Sequence, residues 1–369
     1  MWPHLLGLIV KEFLAVLKDK KSRVVLIGPP IIQVLVFGYA ATYDLSHVPF
    51  AVYNEDPGPL SRDVVAAFHG SANFQEVAQI THDEQIVPLI DRKEALMLLH
   101  IGPHFSRDLV LGRPALVQVI VDGRNSNTAA LTLTYVRTIA DRFNSQWGDR
   151  HGQFTPPARL DIRAWFNPNL ESRWFIVPGI VALLTLLVTM LVTALSVARE
   201  REQGTFDQLL VTPLRPVEIL LGKAIPGFLI GLVEASAIIL VARWWFHVPL
   251  RGSVLTLYMG VALFLLAAVG VGLMISALAT TQQQGLLGAF LFMVPAIILS
   301  GFATPLANMP PLVQHLTLIN PMRYFMVVLR GVFLENAPLE LLLDQFWPMA
   351  IIGVSTLAAA SWLFRHRMH

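Results

Sequence analysis

From Phe175 to Ala198 the chain runs 24 residues without a charged side chain. About 20 apolar residues, rising 1.5 Å each, match the ~30 Å hydrocarbon thickness of a bilayer, so this stretch is read as a membrane-spanning helix. Lipid offers no hydrogen bonds, and every backbone N–H and C=O in such a segment is satisfied internally, which excludes open strands and loops. Five further runs repeat the pattern: Val24–Thr42, Ala224–Ala242, Val254–Leu278, Leu286–Ala303 and Phe346–Phe364. Six spans are therefore expected. A content of 54% hydrophobic and 14% charged residues also lies outside the range of soluble globular domains.

Residues 1–23 set Leu5, Leu8, Ile9, Phe13, Val16 and Leu17 on one side and lysines opposite or at the end, the pattern of a cytoplasmic interfacial helix. Many charges precede the first span and no small-residue cleavage site follows it, so a removable signal peptide is not expected. The first span, 24–42, contains Gly28-Pro29-Pro30 and Gln33, which a membrane helix tolerates where neighbours or water satisfy the freed polar groups. Residues 43–173 turn polar and read as a small α/β domain. Its expected strands are Val48–Asn54, Phe74–Ile80, Ala95–Ile101, Ala115–Val121 and Leu160–Phe166; its expected helices are Leu60–His69, Asp83–Lys93, a short turn after Pro103, and Thr128–Trp147. Residues 174–369 carry the other five spans. Within them Leu312–Leu334 mixes apolar residues with Gln314, His315, Asn320, Arg323 and Arg330, and Pro321 divides it. Neither half can span, so 305–335 is expected as short re-entrant helices in the outer leaflet. Basic residues cluster at 11–23, 199–223 and 365–367, which places both termini in the cytoplasm and the α/β domain outside.

Between two spans lies the charged segment Arg199–Pro216. Gly204 stops the incoming helix, Thr205 with Gln208 has capping-box spacing, and Pro213 ends the next turn. A helix over 205–212 would show Phe206, Leu209 and Leu210 on one face, too short to stand without something to dock against. An ordinary surface loop would account for the arginines but not for a capped apolar helix. Pro216 suits the first turn of the following span.

Arg199-Glu200-Arg201-Glu202-Gln203-Gly204-Thr205-Phe206-Asp207-Gln208-Leu209-Leu210-Val211-Thr212-Pro213 resembles the cytoplasmic loop of ABC-2 type exporter permeases. Leu299-Ser300-Gly301, Asn308-Met309-Pro310 and Asn320-Pro321-Met322-Arg323-Tyr324-Phe325 resemble the external re-entrant region of that family, and Asp122–Asn127 resembles a turn in its exported domain. The resemblance is strongest from Asn167 through Phe325. It implies an α-helical membrane protein of the ABC-2, type V exporter-like class, resident in a bacterial inner membrane and moving small amphipathic solutes or drugs outward. It also implies a separate ATPase subunit that binds ATP and Mg²⁺, and a second permease subunit, identical or homologous; a periplasmic adaptor is left open. Glu200, Glu202, Gly204, Thr205, Phe206, Gln208, Leu209 and Leu210 are then the residues that meet the ATPase. Phe206-Asp207-Gln208 departs from relatives that carry Leu or Val and a glutamate, which bears on the pairing with the ATPase.

No catalytic constellation is visible. Gly222-Lys223 lacks both the upstream glycine and the following Ser or Thr of a phosphate-binding loop. No cofactor or metal site is expected: the chain has no cysteine, and Gly102-Pro103 keeps His100 and His104 off a common helix face. A net charge of +2 with no concentrated basic face gives no reason to expect nucleic acid. Glu234 is the exception, an ionisable group in mid-span and hence a candidate for function. With Gln33, Thr185 and Thr189 it forms the candidate substrate pathway. Thr185, Thr189, Thr193 and Ser196 make a polar stripe that suits either a helix interface or a cavity wall. Two other readings stay open: an ion-gradient-driven transporter using Glu234, and a membrane-anchored ligand sensor. Against them stand the lack of visible inverted repeats and the lack of a cytoplasmic stretch long enough for an output domain.

Overall fold

The computed structural model describes residues 2–18, 20–40, 47–124, 126–151, 167, 171–206 and 215–366. The expected strand Leu160–Phe166 and the residues Gln208, Leu209 and Leu210 lie outside the described residues. Two compact units emerge: 1–42 with 164–369, and 43–163. The first opens with α1 (Trp2–Lys18) and α2 (Lys20–Ala40), the latter keeping Pro29 and Pro30 inside the helix.

Unit 43–163 contains β1 (Val48–Asn54), α3 (Pro59–His69), β2 (Phe74–Ile80), α4 (Ile86–Asp91), β3 (Met97–Ile101), α5 (Phe105–Val110), β4 (Val117–Val121) and α6 (Ser126–His151). The strands form one sheet in the order β2-β1-β3-β4, with β1 parallel to both neighbours and β3 antiparallel to β4. Period-two alternation sends Val48, Phe50 and Val52 to one face, under Val64 and Phe68 of α3 and Ile139 of α6. Ala51 and Tyr53 face the other way, toward Ile86 and Leu89 of α4. At the end of β1 and β3, His100 sets Nε2 2.9 Å from Glu55 Oε2 and Nδ1 3.1 Å from Gln118 Oε1. Its ring stacks on Tyr53 at 4.7 Å. His100 is thus held by an acid and an amide rather than paired with His104.

The remaining elements are α7 (Ser172–Glu202), α8 (Pro216–Trp244), α9 (Val254–Leu278), α10 (Gln282–Ile298), α11 (Pro311–Leu316), α12 (Pro321–Arg330) and α13 (Leu339–His366). Among the described residues four helices are long and apolar enough to cross a membrane: α7, Val217–Trp244 of α8, α9 and α13; Gly28–Tyr39 and α10 are shorter apolar helices. The helix α9 is central, packing on α7, α8, α12 and α13. Local chemistry fixes the ends. Ser253 accepts from the Thr256 N–H at the start of α9 and Thr281 from the Gln284 N–H at the start of α10. Residues 305–335 form a series of short turns and helices. Asn320 caps α12 through the Met322 N–H at 3.1 Å and donates to the Ala296 carbonyl of α10 at 2.7 Å. That tie seats α12 in the core, where Phe325 stacks on Phe264 at 4.3 Å.

Candidate functional site: the elbow, its charge cluster and the intramembrane polar groups

The helix α7 continues through the charged residues to Glu202 and ends in a reciprocal carboxy-terminal cap. Gly204, at φ +67, donates to the Arg201 carbonyl at 3.1 Å, and Thr205 N–H donates to the Glu200 carbonyl at 3.0 Å. Glycine occupies the left-handed position because a side chain there would strain the backbone. The Thr205 hydroxyl also donates back to the Glu200 carbonyl at 3.3 Å; its expected capping partner Gln208 is not among the described residues. Glu202 Oε2 accepts the Gln282 N–H at 2.7 Å, tying the end of α7 to the start of α10.

Phe206 was expected to face the ATPase. Instead it is buried in its own chain, 6.2 Å from the ring of Phe364, near Ile219 and Leu220 and under the Arg201 guanidinium at 5.0 Å. The reason is local: the cap turns the chain back on α7, and the nearest apolar surface is that of α8, α9 and α13. Phe206 anchors the elbow. Past the elbow, Glu218 accepts the Arg215 N–H at 2.8 Å and Pro216 opens α8.

One turn into the membrane from the elbow lies a buried charge cluster. Lys223 of α8, 2% exposed, has three partners: Glu12 Oε1 of α1 at 2.9 Å, Glu200 Oε2 of α7 at 2.6 Å and Ser196 Oγ of α7 at 3.3 Å. Lys11 reaches the other Glu200 oxygen at 2.7 Å, and Ser196 donates to Glu12 Oε2 at 3.2 Å. Of the three N–H donors of the ammonium, two are hydrogen-bonded, to Glu12 and Ser196, and Glu200 Oε2 adds an ion-pair contact. The approach of α1 depends on Gly222, where a Cβ would stand 2.3 Å from Leu8 Cδ2. Among these residues only Glu200 and Ser196 were singled out by sequence. The available signals were Glu12, which follows Leu8 by four on the apolar side of α1, and Lys223, which sits inside the apolar start of α8.

Thr185, Thr189 and Thr193 are fully buried. A Cβ on Gly231 would meet Thr189, and one on Gly227 or Gly272 would meet Thr193, so this part of the stripe is a close helix interface among α7, α8 and α9. Ser276 accepts backbone N–H groups of α7, from Val197 at 2.9 Å and Ala198 at 3.3 Å. Of the candidate pathway atoms, Gln33 Oε1, Thr185 Oγ1, Thr189 Oγ1 and both Glu234 oxygens are buried without a hydrogen-bond partner. Thr189 lies beside Gly231, three residues before Glu234, which places the acid near the level of Thr185 in the antiparallel pair α7 and α8. Gln33 belongs nearer the outer end of α2: five residues on, Gly38 meets Phe246 beyond the end of α8. Glu234 thus falls near the level of Thr185 and Thr189, and Gln33 nearer the end of its helix.

The model of the family described as ABC-2 family transporter protein matches residues 20–362. The chain belongs to the ABC-2 transporter family. Relatives of this ABC-2 chain include the "Probable multidrug ABC transporter permease YbhR" of Escherichia coli strain K12, 38% identical over 100% of both chains. The "Probable multidrug ABC transporter permease YbhS" of the same strain is 32% identical over 95% of this chain and 93% of its own length. The "Inner membrane transport permease YhhJ", also of that strain, is 29% identical over 98% of this chain and 97% of its own. This ABC-2 chain is a multi-pass membrane permease, and a permease of this kind works with an ATPase partner.

Proposed function

We propose that this permease is the membrane-spanning part of an exporter that carries small amphipathic solutes out of a bacterial cell, driven by a separate ATPase subunit that binds ATP and Mg²⁺. On this reading six segments cross the inner membrane, both termini are cytoplasmic, and unit 43–163 lies outside. A second permease subunit completes the pathway. The observation that carries the reading is the elbow: a glycine-capped helix end followed by Phe206, anchored inside the chain, from which the sequence continues into the rest of 205–212. Leu209 and Leu210 supply the apolar contact to the ATPase, and Glu200 and Glu202 brace the base.

Replacing both Leu209 and Leu210 with Asp is expected to leave the permease folded while transport per ATP hydrolysed falls about tenfold or more, because two desolvated leucines are exchanged for buried charges. Normal ATP-driven transport by this double variant removes the elbow from the mechanism.

A further inference from the structure

Every residue of α12 is buried except three, Arg323, Val327 and Arg330. Positions i, i+4 and i+7 share one side of a helix, so these three make a single open stripe about 10 Å long at 1.5 Å per residue. Val327 in its middle is 44% exposed. The two cations that bracket it rest on neutral groups. Arg323 donates through Nη1 to the Gln314 carbonyl at 3.3 Å and to the Thr317 hydroxyl, and its guanidinium stands 5.7 Å from the Tyr324 ring. Arg330 donates through Nη2 to the Gly301 carbonyl at 3.3 Å and lies 4.1 Å over the Phe175 ring, with its Nε enclosed and without an acceptor. Among the described residues neither arginine is in an ion pair, and Glu335 acts on Arg330 only from longer range. Carbonyls, hydroxyls and rings satisfy N–H groups without cancelling the charge, and a half-buried cation held that way is completed by a counter-ion from outside the chain.

The surroundings say what kind. α12 lies beside the first two turns of α7 and α9, at the end of the membrane unit opposite the elbow: Gly179 sits against Met326, and Gly260 makes room for Val328. Asn320 at its start is tied to Ala296, near the end of α10. Helix ends gathered at one level mark where the chain leaves the hydrocarbon, which is the level of the lipid headgroups. Next to the Gln314 and Thr317 groups that hold Arg323, the surface is apolar and open, with Leu312, Leu316 and Ile319 each more than half exposed. A soluble anion would leave those side chains in water. A phospholipid covers them with its acyl chains while its phosphate meets a guanidinium, whose paired N–H groups match two phosphate oxygens.

We propose that the Arg323–Val327–Arg330 face of α12 is a binding site for an anionic phospholipid, its phosphate drawn to the arginines and its chains laid against Leu316 and Ile319. On the orientation proposed above, that lipid belongs to the outer leaflet. The site requires only the membrane, so it stands apart from what the permease carries and from what drives it.

The test is native mass spectrometry of the full-length permease released from detergent, with dioleoyl phosphatidylglycerol or dioleoyl phosphatidylcholine added at equal concentration. Both carry a phosphate and the same chains; they differ in net charge. The unsubstituted permease is expected to retain phosphatidylglycerol about tenfold more, the order expected of two arginines at a lipid surface. Val327→Glu supplies a carboxylate between the arginines from within the chain, leaves their contacts in place, and is expected to bring the two lipids to parity. Arg323→Gln with Arg330→Gln is expected to do the same. Because these arginines also hold the Gln314 and Gly301 carbonyls, the thermal midpoint without lipid is read alongside, and Val327→Glu decides where that midpoint falls. No preference in the unsubstituted permease overturns the site. So does an undiminished preference in Val327→Glu, which would move the lipid to basic residues elsewhere. Inorganic phosphate that displaces phosphatidylglycerol at equal concentration identifies a soluble-anion site and overturns the lipid.

Discussion

Glu234→Gln replaces one carboxylate oxygen with an amide nitrogen and so separates charge from shape. An ionisable side chain at the centre of a span costs about 2.5 to 3.5 kcal/mol to insert, and Glu234 bears that cost with neither oxygen hydrogen-bonded inside its own chain. On the proposed pathway, a cationic solute beside it would favour its charged form. Export of a cationic amphiphile by Glu234→Gln is expected to fall about tenfold, equivalent to about 1.4 kcal/mol, with a smaller loss for a neutral one and normal assembly. Unchanged export of both, on either side of neutral pH, assigns Glu234 to packing. In unit 43–163 the pair His100–Glu55 sets a pH window. Burial opposes the charged imidazole, but the hydrogen bonds to Glu55 and Gln118 and the Glu55 charge outweigh it and raise the His100 pKa above 6.5. The hydrogen bond from His100 lowers that of Glu55 below 4.5. A raised histidine stabilises the fold below its unfolded value and loses that contribution as pH rises through the folded one; a lowered carboxylate stabilises above its unfolded value and loses it as pH falls. Protection of the β1 and β3 amides, corrected for intrinsic exchange, is therefore expected to be greatest between pH 4.5 and 6.5 and to lose that dependence in Glu55→Gln. The same window in Glu55→Gln contradicts this assignment.

Elements differ in what places them. The end of α7 and the start of α8 were legible because Gly204 and Pro216 act within one turn of themselves, and Asn320-Pro321 marks α12 for the same reason. The expected strands at 48–54 and 74–80 keep their bounds, while those expected from Ala95 and Ala115 begin at Met97 and Val117, where pairing between β3 and β4 begins. The helix α1 was harder to read. Its buried contacts are Leu8 and Glu12 against the protein, whereas Leu6, Val10, Leu14 and Leu17 are exposed along another face. A helix lying between protein and lipid has two apolar faces, and periodicity alone does not say which meets which. Lys223 was illegible as a partner of Glu12 because only tertiary packing brings them together. The order of the elements across the bilayer gives its own prediction. A cysteine at Ser126, at the start of α6, is expected to react in intact cells with a membrane-impermeant reagent, and one at Gln203, at the end of α7, is not. The reverse labelling would invert the proposed orientation.

For the whole molecule, a family match over residues 20–362 and full-length relatives named as permeases establish the class, while composition and the long apolar helices establish the membrane. What drives transport is the central claim, because an acid in mid-span also suits a carrier that runs on an ion gradient. The decisive measurement is uptake of a cationic dye into inside-out proteoliposomes containing the permease and its ATPase subunit, with ATP or an imposed proton gradient as the only energy source, each with and without a protonophore. Uptake that requires ATP and Mg²⁺ and persists with the protonophore is the predicted result; uptake sustained by the gradient alone, without ATP, contradicts it.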